Sequence, residues 1–280
     1  MKRQFTVLAC AVLLAGGCGG GDDDDGERAR ADSDPASPSV STATTAPLAP
    51  VDMAVTAEEL APELYGFELP AEVTGGVVTM QLTNSGALQH EAGVVRVGAT
   101  PLDQVRQDLD VALGGDGPIP DYLEFHGGVG EIAGGTQRQT TFKLPEGDYV
   151  MYCAITDLGV GGTLEEPKPH YDTGMIEPFK VRGDNGASLP GGLPKIVAGE
   201  YGFELDPLPP GNNTVLFENL GPAQMHLAAF LEFPAGVDEQ QALAILLGQS
   251  DPAGRPPTQT AVVGPFVPGA GGTFRLDLKA

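Results

Sequence analysis

The sequence predicts a mainly β protein: a Greek-key β-sandwich in two tandem copies, each with one inserted helix, the second copy incomplete. Three observations predict it. Glycine and proline are abundant, 40 and 25 of 280 residues, and they punctuate many short apolar runs. Those runs alternate with period two and carry β-branched residues, as in Val77-Val78-Thr79-Met80-Gln81-Leu82-Thr83. The chain also repeats itself. Tyr65-Gly66-Phe67-Glu68-Leu69 returns as Tyr201-Gly202-Phe203-Glu204-Leu205, and His90 returns as His226 at the same offset.

The N-terminus precedes the fold. Residues 1–17 form a signal peptide: Lys2 and Arg3 are basic, and Phe5 to Ala15 is an apolar run too short to span a bilayer. The run ends in Leu14-Ala15-Gly16-Gly17-Cys18, which resembles a bacterial lipobox with its leucine one position early. Lipid on Cys18 anchors the chain to the outer face of a bacterial cell membrane; ordinary cleavage at the small residues gives a secreted protein instead. Residues 18–50 are rich in Asp, Pro, Ser, Thr and Ala. They bury too little apolar surface to offset the entropy of ordering, so they form a tether.

The first copy spans 51–182. Asn84-Ser85-Gly86 turns the chain after the Val77 strand, and His90 to Val97 is the next strand. Pro101 to Leu113 is a helix with Thr100 at its start. Gln137 to Leu144 and Asp148 to Ala154 form a hairpin across Pro145-Glu146-Gly147, and Met175 to Arg182 closes the copy. Residues 183–194 link it to the second copy, 195–280. There Thr214 to Glu218, Asn219-Leu220-Gly221, Phe230 to Phe233 and a helix over Val237 to Leu247 repeat the order. The second copy has no segment matching Gly147 through Val181, and truncation is the expected reason. A sandwich lacking those strands has open edges.

Fifteen basic and thirty-eight acidic side chains give a net charge of −23. That excludes nucleic acid, whose phosphates need a basic surface. It permits a basic protein partner, but first of all it suits a surface that keeps a secreted protein soluble. No other stretch is apolar enough to span a membrane.

Cys10 leaves with the signal peptide and Cys18 takes the lipid, so Cys153 is the one thiol of the folded part. It is either a buried apolar side chain or a metal thiolate. His90 is a capping or surface residue or a ligand, and Met175 is core filler or a ligand. His170 stands four residues before the segment's Gly174, and Met175 follows at once. A thiol, two imidazoles and a thioether are the donors of a blue copper centre, with two His and one Cys in a plane and a weak axial Met. His126 is a further candidate, and Glu91 either orients the His90 imidazole or is solvated.

These residues, in this order, resemble the cupredoxin family, and more closely the cupredoxin-like domains of bacterial secreted and lipid-anchored proteins. The resemblance rests on Tyr65-Gly66-Phe67, the Asn84-X-Gly86 turn, Gln89-His90-Glu91, Gly127-Gly128-Val129-Gly130, Gly147 through Cys153, Pro169-His170 and Gly174-Met175. It implies one copper held by His90, Cys153, His170 and Met175, serving electron transfer or copper handling with a redox or envelope protein partner. It departs from the family in one place. Residues 154–169 separate Cys153 from His170, where small blue copper proteins have only a short segment.

Enzyme motifs are absent: there is no Gly-X-Ser-X-Gly elbow and no His-Glu-X-X-His zinc motif. Cys153 with His170 as nucleophile and base leaves His90 and Met175 without a role. The chain therefore reads as a non-enzymatic copper protein. The alternative is a metal-free cupredoxin-like module that binds another envelope protein.

Overall fold

The computed structural model describes residues 48–114, 117–156, 168–246 and 257–278. The signal peptide, Cys18 and nearly all of the tether lie outside those residues, as do 157–167 between Cys153 and His170. The first repeat gives β1 (Val51–Ala61), β2 (Leu64–Glu68), β3 (Glu72–Thr74), β4 (Gly76–Asn84), β5 (His90–Arg96), α1 (Leu102–Gly114), β6 (Glu124–Ile132), β7 (Gln137–Leu144), β8 (Gly147–Tyr152) and β9 (Ile176–Arg182). The second gives β10 (Lys195–Ala198), β11 (Phe203–Leu205), β12 (Gly211–Asn219), β13 (His226–Glu232), α2 (Glu239–Leu246), β14 (Thr258–Phe266) and β15 (Gly271–Leu278). The protein is mainly β, as expected.

The strands form two sheets, ordered β11-β10-β12-β15-β7-β4-β1-β2 and β13-β14-β6-β5-β8-β9-β3. Alternation decides which side chains meet between them. Met53, Val55 and Ala57 of β1 and Val78, Met80 and Leu82 of β4 turn inward from one sheet. Val94, Met151 and Phe179 meet them from the other. β1 runs parallel to β4 in matched register, Met53 beside Met80 and Val55 beside Leu82.

The expected hairpin does not form. β7 pairs with β4 and β15, while β8 pairs with β5 and β9 in the opposite sheet. The Pro145-Glu146 link therefore crosses between layers. Each strand buries its own apolar face, with Phe142 and Leu144 on one and Tyr149 and Met151 on the other, and a local hairpin would leave the strands side by side in one layer. In the first repeat, β1, β2, β3 and β6 lie outside the expected strands.

The helices fall within a residue or two of expectation. α1 begins at Leu102, and the carbonyl of Pro101 accepts the N–H groups of Gln104 and Val105. Val105, Leu109 and Ala112 form its buried face at helical spacing. α2 starts with a reciprocal cap: Asp238 Oδ1 accepts from the Gln241 N–H, and Gln241 Oε1 accepts from the Asp238 N–H. No helix among the described residues is long and apolar enough to cross a membrane.

Both sheets run through both repeats. β15 pairs with β7, Gly272 opposite Phe142, and β14 meets β6 where Phe266 faces His126. The edges expected to be open on the second copy are thus partly closed by strands of the first. Gly127 makes this junction possible. Its φ of 95° suits glycine, and a Cβ there would collide with the Phe266 ring.

Candidate metal centre

His90 is delivered by a turn that one buried asparagine organises. Asn84 Nδ2 donates to the carbonyls of Leu88 (2.7 Å) and Ile132 (3.2 Å), and Asn84 Oδ1 accepts from the Gly86 N–H (3.0 Å). Glu59, from β1, caps the same turn by accepting from the N–H groups of Ala87 (2.7 Å) and Leu88 (2.6 Å). The chain leaves the turn straight into β5, with His90 as its first residue.

Cys153 follows the last residue of β8. Its N–H donates to the Met175 carbonyl (3.2 Å), and its carbonyl accepts from the Tyr171 N–H (3.0 Å). The segment after it returns at its base: Thr156 and Pro169 form an antiparallel bridge, and the His170 N–H donates to the Ile155 carbonyl (2.9 Å). His170 then opens a 3₁₀ turn, His170–Thr173. The Met175 N–H and the Thr173 hydroxyl both donate to the His170 carbonyl. Gly174 ends the turn with a φ of 107°, and a Cβ there would stand 2.7 Å from the Tyr65 carbonyl oxygen.

The result is a compact donor cluster. His90 Nδ1 lies 3.1 Å from His170 Nδ1, and Cys153 Sγ lies 3.5 Å from His170 Nδ1. One donor atom from each of the three residues falls within 4.8 Å of the others. His90 and Cys153 are fully buried and His170 is 1% exposed. Met175 is fully buried, and its backbone bonds to both Cys153 and His170. Three donors around one ion at about 2.0–2.3 Å in a plane stand about 3.5–4 Å apart. The 3.5 Å thiol–imidazole separation matches that, the 3.1 Å imidazole–imidazole separation is shorter, and a thiolate with two imidazoles is a nitrogen–sulfur set that fits copper.

The surroundings differ from the sequence expectation in one respect. Glu91 does not orient His90. Its Oε1 accepts from the Ala154 N–H (3.0 Å), and its own N–H donates to Cys153 Sγ (3.4 Å), so it braces the cysteine. Burial raises the Glu91 pKa to about 7 against the lowering effect of the Ala154 N–H, and the charge of Glu131 adds to the rise. The carboxylate facing the His90 ring is Glu59, whose Oε1 lies 3.8 Å from His90 Nε2. Tyr65 covers both imidazoles, its ring centroid 4.2 Å from that of His170 and 5.6 Å from that of His90. The Tyr-Gly-Phe repeat pointed to Tyr65; nothing in the sequence marked Glu59.

His126 stays apart from the cluster. It packs edge-on to Tyr149 (5.7 Å), with Nε2 3.6 Å from Glu124 Oε2. His226 occupies a copy of the His90 cradle. Asn219 Nδ2 donates to the carbonyls of Gln224 (2.8 Å) and Phe266 (2.7 Å), and Asn219 Oδ1 accepts from the Gly221 N–H (3.0 Å). Among the described residues, the cluster of His90, Cys153 and His170 has no second instance around His226.

No protein-family model matches the chain, and no curated protein sequence does. Among solved structures it is similar to auracyanin A, a "blue" copper protein from the green thermophilic photosynthetic bacterium Chloroflexus aurantiacus. That match has 23% identity and a TM-score of 0.31, covering 48% of this chain and 100% of the other. It is similar to an azurin from the obligate methylotroph Methylomonas sp. strain J at 15% identity and a TM-score of 0.30, covering 48% of this chain and 99% of the other. A multicopper oxidase matches at 17% identity and a TM-score of 0.25, covering 82% of this chain and 79% of the other.

Proposed function

We propose that the chain is an extracytoplasmic copper protein that holds one copper in its first repeat, through His90, Cys153, His170 and Met175, for electron transfer or copper handling. The buried group of one thiol and two imidazoles is the observation that carries it. Copper in such a set supplies a one-electron couple between Cu(II) and Cu(I). The protein's own part is to hold the donors still and dry. Backbone bonds fix Cys153 to Met175 and Tyr171, Asn84 and Glu59 fix the His90 turn, and Tyr65 shields both imidazoles. A site fixed in this way changes little between oxidation states, which favours fast transfer. Cys18 carries the lipid that anchors the chain to the membrane, and 18–50 is its tether. The partner is a redox or other envelope protein, and the acidic surface favours a basic one.

The test is copper titration of the whole chain. The expected result is one copper per chain and an intense visible thiolate-to-copper band that disappears in Cys153→Ser and weakens in His170→Ala. Binding without that band points to metal storage. No binding, with unchanged thermal stability, overturns the proposal and favours the metal-free envelope module.

A further inference from the structure

Residues 154–169 separate the second imidazole from the thiol, so the place of His170 depends on what anchors its 3₁₀ turn. We propose that helix α1 is the positioning element of the metal centre, acting through a hydrogen bond from the Tyr171 hydroxyl to Asp110 that fixes the turn carrying His170. The inference rests on the copper reading for one arm of its test and is independent of it in the other.

Tyr171 is the residue after His170 and is 3% exposed. Its hydroxyl donates to Asp110 Oδ1 at 2.7 Å, while its N–H donates to the Cys153 carbonyl at 3.0 Å. One residue thus ties the helix, the histidine turn and the cysteine together, the helix through its side chain and the cysteine through its backbone. The ring lies in an apolar cluster with Val105, Leu109 and Ala112 of α1 and with Tyr152 and Ile176 of the strands beside it. A hydrogen bond to a carboxylate is stronger than one between neutral groups, so this anchor is worth more than its single bond suggests.

The second repeat offers an internal comparison. At the repeat offset, Leu109 and Asp110 correspond to Ile245 and Leu246, so the carboxylate acceptor is missing. The described part of α2, Glu239–Leu246, buries only Ala242. The repeat with the His170 turn has the Tyr–Asp bond. The helix of the other repeat lacks the acceptor.

The same helix contains a control. Tyr122 donates to Asp108, also on α1, and its hydroxyl bond does not run to the His170 turn. In a full-length Cys10→Ser, Cys18→Ser background, Cys153 is the remaining thiol and is fully buried. Its reaction with a disulfide reagent in metal-free protein reports opening of the turn. Tyr171→Phe and Asp110→Ala should each speed that reaction about tenfold, and each should weaken copper binding about tenfold with a shifted charge-transfer band. Asp110→Asn, which keeps an oxygen acceptor, should restore most of both. Tyr122→Phe should change neither, although its melting temperature should fall by as much as that of Tyr171→Phe. Unchanged thiol rates in Tyr171→Phe and Asp110→Ala, or an equal acceleration in Tyr122→Phe, would overturn the inference. A wild-type chain that binds no copper, with the thiol rates behaving as expected, removes the copper reading and leaves the positioning role supported.

Discussion

Asn84 and Asn219 form a matched pair that separates scaffolding from metal binding. Asn84 makes three bonds at 2.7, 3.2 and 3.0 Å, and Asn219 makes three at 2.8, 2.7 and 3.0 Å to the equivalent groups. Both side chains are fully buried. Replacement by alanine removes two donors and an acceptor and strands two carbonyls and an N–H. A buried polar group left unsatisfied costs about 1–3 kcal/mol. Some of the three will find new partners or water as the turn relaxes, so each substitution should cost about 3–4 kcal/mol. At about 2–4 °C per kcal/mol for a chain of this size, the melting temperature should fall by about 6–16 °C. The two variants should be nearly equal in thermal and urea melts of metal-free protein. Copper affinity should separate them: Asn84→Ala should lower it at least about tenfold, because the turn delivers His90, whereas Asn219→Ala should leave it within about twofold. A loss of stability below about 1 kcal/mol in either variant would refute the bond arithmetic. Equal copper affinity in both would refute the claim that the Asn84 turn positions a ligand.

Two further predictions follow from the junction and from the segment after Cys153. His126 is buried between Tyr149 and the β14 pairing, and burial lowers its pKa from the ordinary value of 6.5, against the opposing pull of Glu124. A depressed imidazole pKa means that the unfolded chain takes up a proton before the folded one, so the His126 contribution is full above pH 6.5 and is lost as pH falls. The stability difference between wild type and His126→Gln should therefore shrink from pH 7.5 to pH 5 in urea melts of metal-free protein; a constant difference refutes it. Separately, deleting residues 159–165 should leave copper affinity within about threefold and change stability by no more than about 1 kcal/mol, since loop length enters closure entropy only logarithmically. Loss of the charge-transfer band in that deletion would show that the segment itself shapes the site.

The elements read from sequence were those whose pattern is local. β4 alternates with β-branched residues and was found nearly to its ends. β1 has the same inward alternation, at Met53, Val55 and Ala57, but it is short of β-branched residues and ends in Glu58, Glu59, Leu60 and Ala61. One of its partners is its neighbour β2, antiparallel across Pro62-Glu63, but the other is the parallel strand β4, reached through β2 and β3, and no local signal announces that pairing. The false hairpin has the opposite cause. Pro145-Glu146-Gly147 is a good turn sequence, but a turn fixes only the change of direction. The layer each strand joins depends on which face is apolar and what lies across from it, as Phe142 and Met151 show.

The candidate site divides along the same line. His90, Cys153 and His170 were legible because their residue types carry the chemistry themselves. Glu59 and Asp110 were not, because an exposed acid in a chain with 38 of them carries no mark until the fold brings it to a turn or a tyrosine. The long gap between Cys153 and His170 suggests slack between the two donors. Slack at a donor depends on where the chain is pinned rather than on how many residues lie between. The Thr156–Pro169 bridge and the His170-to-Ile155 bond pin both ends of the segment just outside the donors. From there the effective connection between thiol and imidazole is two short arms, and the Tyr171–Asp110 bond fixes one of them to a helix. A segment closed off at its base in this way can vary in length without moving the ligands, which is why the sequence gap and the 3.5 Å separation of Cys153 Sγ and His170 Nδ1 are compatible.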